Sequence, residues 1–277
     1  MNTQKVWYIT GASKGLGLAL VKKLLNEGYR VAATSRNLKQ LITAVDVESK
    51  NFLPLEVDLT NDESVKESID KTWSIFKSID VVVNNAGYGI GGSIEELTDK
   101  EVRDSFDVNV FGTMNVVRNV MPYLRDQQSG HIINIASIAG FAPATGWSVY
   151  AGCKFAVAGL SEVLAEDVKS FGVKVTVVLP GAFRTSFLTE ESLVYATSPL
   201  AAYKDVAESH ARYNKLNGTQ IGDPEKAADV FISLTEMENP PVRLFMGSDA
   251  QTRAQHKLEI LSGELKQLSP ISISTDY

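Results

Sequence analysis

The sequence predicts an α/β fold, a single-domain doubly wound parallel sheet of about seven strands with helices on both faces. Short apolar runs alternate along the chain with longer segments whose apolar residues recur at helical spacing, which is the pattern of parallel strands joined by crossover helices. A glycine-rich turn follows the first apolar run, and a later run ends at Ser137. Ligands bind such sheets at the carboxyl ends of the strands, so we expect the functional site there.

The order of the segments supports this fold. Strands are expected at residues 5–10, 30–36, 51–57, 79–83, 131–136, 172–179 and 242–246, and helices at 16–26, 60–77, 98–125, 148–171, 199–216, 223–236 and 251–268. Thr60 with Glu63 and Thr98 with Glu101 have the spacing of capping boxes at helix starts. Pro122 is expected to bend or end the third helix early.

The chain is expected to form one domain over residues 1–277, because no linker rich in Pro, Gly or Ser divides it and no internal repeat is evident. Residues 182–222 are rich in aromatic side chains and follow the sixth strand. They are expected to form a substrate lid, and a fixed helical flap over the sheet end is the alternative. Residues 248–277 are expected to form a C-terminal extension.

Composition and charge narrow the class of protein. The net charge of −6 gives no reason to expect nucleic acid or an anionic membrane as a partner. We expect no membrane span, because no apolar run reaches the roughly 18 residues that a span needs, and no signal peptide. One cysteine, Cys153, fits a cytoplasmic protein. The three histidines and this cysteine show no metal-ligand spacing, so no metal is expected.

The glycine-rich turn at Thr10–Gly17 has the features of a dinucleotide-binding loop. Gly11 permits a tight turn, Gly15 lets a diphosphate approach the backbone N–H groups at the helix start, and Gly17 lets helix and strand pack closely. A glycine-rich match alone is weak, but this one lies between a strand and a helix, as the motif requires. Ser13 and Leu16 in the same turn are expected to contact the cofactor.

The exit of the second strand bears on which cofactor binds. An Asp or Glu at this point usually accepts hydrogen bonds from a free ribose 2′-hydroxyl, but this chain has Ser35 and Arg36. A guanidinium suits a 2′-phosphate, and Lys14 in the glycine-rich turn could add a second cation. We therefore expect NADP(H), although Lys14 and Arg36 could instead be two solvated surface charges.

Tyr150 and Lys154 are four residues apart on an expected helix, so their side chains share one face. A free tyrosine has a pKa of about 10 and is rarely a phenolate at neutral pH. A neighbouring ammonium favours the phenolate, and a neutral phenol is already the acid needed for reducing a carbonyl. Ser137, at a strand end, could hydrogen-bond the same oxygen. A Tyr and a Lys at this spacing also occur on helices without function.

The glycine-rich turn, Asn84-Asn85-Ala86-Gly87 after the fourth strand, Ser137 and Tyr150-x-x-x-Lys154 occur together in this order. From about residue 4 to residue 185 the chain resembles the short-chain dehydrogenase/reductase family, in its single-domain branch. The resemblance implies a Rossmann-like sheet of order 3-2-1-4-5-6-7. It also implies a catalytic group of Ser137, Tyr150, Lys154 and Asn109, where Asn109 would hold a backbone opening and a water that joins Lys154 to solvent.

The same resemblance implies further cofactor contacts. Asp58 and the neighbouring Leu59 would hold the adenine. Asn85, Ala86 and Gly87 would lie near the ribose and nicotinamide. Thr185 would contact the nicotinamide carboxamide, after Pro180 and Gly181. Relatives form dimers through the helices expected near residues 98–125 and 148–171, so a homodimer is expected, whereas the long C-terminus departs from the tail that helps relatives form tetramers.

The function that fits these residues is an NADP(H)-dependent oxidoreductase that interconverts a small-molecule carbonyl and a secondary alcohol. The aromatic and aliphatic residues of the 182–222 region, with Tyr88, Ile90, Phe141 and Trp147, suggest an apolar substrate. Two alternatives stay open. Epimerases and dehydratases of this kind retain their nicotinamide, and a dinucleotide-binding sensor would bind cofactor without needing Tyr150.

Overall fold

The protein, described here from a computed structural model over residues 5–277, is built on one parallel sheet. The first four residues, which the sequence analysis expected to lead directly into the first strand, lie outside the described residues. Within residues 5–277 the chain forms nine strands, given in chain order: β1 (Val6–Ile9), β2 (Arg30–Ser35), β3 (Phe52–Glu56), β4 (Val81–Asn84), β5 (Gly89–Gly91), β6 (Gly130–Ile135), β7 (Val173–Pro180), β8 (Leu193–Tyr195) and β9 (Arg243–Met246).

Seven of these strands make the main sheet, in the order β3-β2-β1-β4-β6-β7-β9, and every pair in it is parallel. Numbered among themselves, the seven have the order 3-2-1-4-5-6-7, so the expected topology is confirmed. Ile9 lies beside Val83, and Val83 beside Ile133, in adjacent strands. Because all seven strands are parallel, their carboxyl ends lie at one edge, where the functional residues follow.

Nine α-helices connect and follow these strands in the described part of the chain: α1 (Gly15–Asn26), α2 (Leu38–Val45), α3 (Asp62–Phe76), α4 (Asp99–Phe106), α5 (Gly112–Gln127), α6 (Ser148–Asp167), α7 (Lys204–Lys215), α8 (Pro224–Glu236) and α9 (Ser248–Ser272). One core cluster joins buried residues of α1, α2 and α8 to one face of the sheet. A second joins α3 and α5 to the other face. The sheet is therefore covered on both faces, as doubly wound folds require.

Three local expectations need correction. The capping box expected at Thr60 and Glu63 does not form, because the Thr60 hydroxyl donates to Asp58 and the side chain of Asn61 caps α3 instead. The box at Thr98 and Glu101 is confirmed. Pro122 does not end its helix, since α5 continues to Gln127. The helix α2 was not expected, although the Asn37 side chain caps it.

The helix expected over residues 98–125 is interrupted by a π-helical turn at Asp107–Phe111. Inside it, the side-chain amide of Asn109 donates to the carbonyl oxygen of Ser105 at 2.9 Å, which is the acceptor that the backbone N–H of residue 109 would use in an α-helix. The backbone N–H of Gly112 donates to the carbonyl oxygen of Asp107, five residues earlier, so this turn is one residue wider than an α-helical turn. Such bulges are frequent at functional sites.

The helix α6 is long and apolar enough to cross a membrane by length and composition, with a mean hydropathy of 1.2, although the sequence analysis expected no such segment. Of this stretch 44% is buried inside the protein. It packs against β7 and carries the buried side chains of Tyr150 and Lys154. A core helix meets the same criteria, so the match is weak support for a membrane span.

Candidate active site

A cavity of about 750 Å³ lies at the carboxyl edge of the sheet. Its walls come from the loops that follow β1, β2, β3, β4, β6 and β7, which is where the parallel topology gathers them. The cavity is lined by nearly all of the residues predicted to bind cofactor or to act in catalysis: Gly11, Ser13, Lys14, Gly15, Leu16, Ser35, Arg36, Asp58, Leu59, Asn85, Ala86, Gly87, Ser137, Tyr150, Lys154, Pro180, Gly181 and Thr185. Of the side chains predicted to favour an apolar substrate, Tyr88 and Trp147 line it, whereas Ile90 and Phe141 do not. Gly17 and Asn109 lie just behind this lining.

The glycine-rich turn is folded tightly against the loop after β4. Gly11 has φ +63°, and a Cβ added there would come within 2.6 Å of the Ala86 Cα, so only glycine fits. The Asn85 side chain donates to the carbonyl oxygens of Thr10 and Gly11 at 3.0 and 2.9 Å. A Cβ at Gly17 would lie 2.5 Å from the Asn85 amide nitrogen. Asn85 therefore supports the turn, besides lining the cavity.

The turn leaves the first N–H groups of α1 available. Lys14 is the N-cap residue, and its side chain makes no capping hydrogen bond. Backbone N–H groups at a helix start, approached over glycines, form a binding site for phosphate groups. The residues present at this end of the cavity therefore fit the diphosphate of a dinucleotide.

The side chains expected to select the cofactor lie in different settings. The Ser35 hydroxyl donates to Ser13 Oγ at 3.3 Å, and Arg36 is exposed at the cavity wall. The ammonium of Lys14 instead donates to the backbone carbonyl oxygen of Glu191 at 2.7 Å and lies 3.7 Å from the Glu191 carboxylate. Asp58 accepts hydrogen bonds from the backbone and hydroxyl of Thr60 at 2.9 and 2.7 Å.

Tyr150 and Lys154 lie one turn apart on α6, both buried. The Lys154 ammonium nitrogen is 5.7 Å from the centre of the Tyr150 ring and donates to the carbonyl oxygen of Ile135 at 3.0 Å. A Cβ at Gly87 would lie 3.4 Å from the Lys154 ammonium nitrogen, so glycine at position 87 leaves space beside that ammonium. Ser137 follows β6 and its hydroxyl oxygen accepts from the backbone N–H of Ala139 at 3.1 Å.

Burial dominates the ionisation of this pair. It raises the pKa of Tyr150 to about 12, and a hydrogen bond with Ser137 opposes the rise. Burial also lowers the pKa of Lys154 to about 8. Desolvation of the phenolate is the largest cause of the Tyr150 shift, so the net change in its pKa is upward. The tuning of Tyr150 by Lys154 stays a prediction. At neutral pH the phenol is neutral and the ammonium is largely protonated.

Asn109 joins the π-helical turn to the strand that borders the site. Its side-chain oxygen accepts from the backbone N–H of Tyr88, and its amide donates to the Tyr88 carbonyl oxygen, both at 3.2 Å. A Cβ at Gly87 would lie 2.5 Å from that same side-chain oxygen. The backbone opening implied by the family resemblance is present; the water remains a prediction.

The region 182–222 forms one wall of the cavity. Its strand β8 pairs with β5, and its helix α7 packs on Trp147 through His210 and Tyr213, whose ring centres lie 5.1 and 5.0 Å from the indole. His210 Nε2 is 2.9 Å from the carbonyl oxygen of Gly146. Trp147 in turn contacts the Tyr150 ring. The cover over Tyr150 is mostly aromatic, and it is anchored to the rest of the protein at several points.

The polar residues of the cavity wall that the sequence analysis missed include Gln220, Asp249 and Arg253. The Gln220 side chain is 3% exposed, and neither its amide nitrogen nor its oxygen has a hydrogen-bond partner among the described residues. Asp249 accepts from the backbone N–H of Ala182 at 2.8 Å. Asp249 and Arg253 are four residues apart on α9, but nothing in the sequence places that helix beside the cavity, so only the folded chain brings the three residues together.

Comparisons with known proteins agree with this geometry. The sequence profile described as short chain dehydrogenase matches residues 5–194. Oxidoreductase BOA17 of Botryotinia fuckeliana is 35% identical, over 98% of this chain and 99% of that protein. The 3-ketodihydrosphingosine reductase of Bacteroides thetaiotaomicron is 36% identical, over 86% of each chain.

A solved structure agrees as well. A short-chain dehydrogenase from Streptomyces avermitilis superposes with a TM-score of 0.91 at 32% identity, over the whole of both chains. Likeness of this extent covers the sheet, the cavity and the C-terminal helix together. The chain belongs to the short-chain dehydrogenase/reductase family and is an oxidoreductase.

Proposed function

We propose that the protein is an NADP(H)-dependent oxidoreductase that interconverts a carbonyl group and a secondary alcohol, with Tyr150 as proton donor and acceptor. The observation that carries the proposal is the buried, neutral phenol of Tyr150 at the wall of the cavity, beside Ser137 and the ammonium of Lys154. A general acid needs its proton at the working pH and a place within reach of the substrate oxygen. Tyr150 meets the first need, and its position in the cavity wall supports the second.

The roles of the side chains follow from their positions. The Tyr150 phenol gives its proton to the substrate oxygen during reduction, and the Ser137 hydroxyl orients that oxygen. The nearby ammonium of Lys154 stabilises the phenolate that proton transfer leaves. Asn109 holds the backbone of Tyr88 beside Gly87 and keeps that wall open. A nicotinamide cofactor held in the cavity would supply the hydride.

The preference for NADP(H) rests on charge at the exit of β2. Arg36 is an exposed guanidinium at the cavity wall, and no carboxylate stands where a free 2′-hydroxyl would be held, since the neighbouring residue is Ser35. A guanidinium offers paired donors that match phosphate oxygens. Lys14 can contribute once its ammonium leaves Glu191.

The substrate that fits best is apolar. Beyond Tyr150 the wall includes aromatic and aliphatic side chains such as Phe183, Phe187 and Leu188, together with the polar side chains of Gln220, Asp249 and Arg253. A relative named as a reductase of 3-ketodihydrosphingosine supports a ketone. The substrate wall is therefore suited to a ring-bearing or long-chain ketone.

The test is steady oxidation of NADPH by the full chain with a panel of ketones that range from small and charged to large and apolar. Turnover with the large ketones, at fixed NADPH, is expected. No turnover of any ketone while NADPH still binds would favour a sensor or an enzyme that retains its nicotinamide. Reduction of the small, charged compounds alone would contradict the apolar pocket.

We also propose a cytoplasmic homodimer, on the resemblance to relatives that pair through the corresponding helices. Three large apolar side chains are exposed in this part of the molecule: Phe111 in the π-helical turn, and Phe155 and Val163 on α6. Burying them against a second copy would remove apolar surface from water.

A further inference from the structure

The helix α9 has two parts with different surroundings. Ala250 and Ala254 in its first turns are buried in a cluster with Ile138, and Phe141 and Phe245 pack against them. From residue 262 to residue 277 every residue is exposed. The second half of the helix therefore has no cover from the rest of the described chain. We call residues 262–277 the C-terminal arm.

One stripe of apolar residues runs along both parts of α9. Its members recur four and three residues apart in alternation, which keeps them on one side of the helix, as in a coiled-coil seam. The buried Ala254 belongs to this stripe, whereas Leu265, on the arm, is 75% exposed. The stripe consists of Ala254, Leu258, Leu261, Leu265 and Leu268.

The apolar surface of the stripe is unusual for a free helix end. Leu258 and Leu268 are 52% and 47% exposed, and the arm adds Ile271 and Ile273 at 68% and 62%. Adjacent apolar side chains left in water are typical of a surface that binds another molecule. The side of α9 that packs on the rest of the protein at Ala254 is thus largely exposed beyond that residue.

Charged residues beside the stripe identify the partner. Lys257 and Glu264 are seven residues apart, so they lie on the same edge of the stripe. Within residues 5–277 neither takes part in a salt bridge. Residues on the same edge of two antiparallel helices face each other across a two-fold axis, so each Lys257 would lie beside the partner's Glu264. This edge of α9 is therefore complementary in charge to the same edge of α9 in a second copy.

We propose that α9 pairs antiparallel with α9 of a second copy of this chain, with Leu258, Leu261 and Leu265 of the two copies in contact and Lys257 beside the partner's Glu264. A membrane surface fits less well, because Lys257 and Lys266 are balanced by Glu259 and Glu264, whereas interfacial helices are usually rich in basic residues. This pairing is distinct from the proposed contact through α6, so both together would make a tetramer.

The first test is the mass of the full-length protein by light scattering across micromolar concentrations. Leu265→Glu should weaken self-association by about tenfold or more, since it places a charge in the seam. Gln267→Glu adds the same charge to the other side of the arm and should leave the mass unchanged. Because both side chains are exposed, neither substitution should disturb the fold, which circular dichroism would check.

The second test exchanges the charges. Lys257→Glu and Glu264→Lys should each weaken the assembly at low salt, and the two together should restore it, because the pair is then re-formed in reverse. A wild-type mass that Leu265→Glu does not change would overturn the proposal, and so would single and double charge variants that behave alike. Binding of the wild type to anionic lipid vesicles without self-association would also overturn it.

Discussion

Tyr150 shows how burial and charge compete at a single residue. Burial raises its pKa to about 12, even though an ammonium nitrogen lies 5.7 Å from the ring centre. The sequence places the ammonium beside the phenol, but the depth at which the pair is buried follows only from the fold. A neutral phenol is suited to give a proton to a carbonyl oxygen, as the sequence analysis expected for reduction.

Arg36 is expected to determine the preference for NADPH over NADH. Replacing it with Asp should remove the fork that binds a 2′-phosphate and supply an acceptor for a free 2′-hydroxyl. The ratio of kcat/KM for NADPH to that for NADH should therefore fall by about 10²-fold. Lys39→Asp makes the same change of charge on the exposed face of α2, outside the cavity wall, and should leave the ratio nearly unchanged. A wild-type preference for NADH would contradict this reading.

The buried His131 is expected to lower the stability of the folded protein in acid. Burial lowers its pKa to about 4, and its Nε2 lies 2.9 Å from the Thr176 hydroxyl, which itself donates to Pro241. His131 Nε2 must then be the donor, and the ring is neutral. In the unfolded chain the imidazole binds a proton below about pH 6.5, so stability is lost as pH falls from about 6.5 to 4. The loss should reach about 3 kcal/mol.

Urea unfolding at pH 7 and pH 4.5 would measure this loss. His131→Gln keeps a donor for Thr176 and cannot bind the proton, so its free energy of unfolding should change less between the two pH values than that of the wild type. His256→Gln, at an exposed position on α9, serves as the control. Equal pH dependence in all three proteins would show that His131 is not responsible.

At the scale of elements, the sequence predicted the strands well and the helix details less well. Each strand of the main sheet is a short apolar run, and its crossover connections leave few possible orders. Periodicity does not reveal the π-helical turn at Asp107–Phe111, because the apolar residues around it recur at helical spacing. Gln220 and Asp249 reach the cavity only through the packing of the C-terminal segments.

The loop that contains Glu191 is expected to compete with NADPH for the ammonium of Lys14. Its carbonyl oxygen and carboxylate hold Lys14, the residue expected to meet the 2′-phosphate. Glu191→Gln should remove a competing negative charge and tighten NADPH binding several-fold at low salt, by less than 1 kcal/mol because such pairs are solvent-exposed. NADH binding should change little. Titration of both cofactors, with Glu190→Gln as the neighbouring control, would decide; equal effects of the two variants would contradict the role of Glu191.

At the scale of the whole molecule, we expect two separate surfaces for self-association, one on α6 and one on α9. Val163→Glu, on the exposed side of α6, should remove one two-fold step of assembly, and Leu265→Glu should remove the other. The double variant should be a monomer by light scattering, and Gln267→Glu again serves as the control. A wild type that is monomeric at micromolar concentration would refute both surfaces.

The central claim is that Tyr150 donates the proton, and a single-turnover measurement tests it most directly. Tyr150→Phe removes the phenol and keeps the packing of the ring, so the rate of NADPH oxidation with a ketone that the wild type reduces should fall by about 10²–10⁴-fold. NADPH affinity should be unchanged. Tyr213→Phe removes another hydroxyl from the cavity wall and should keep most of the rate. A Tyr150→Phe protein that retained most of the wild-type rate would contradict the account.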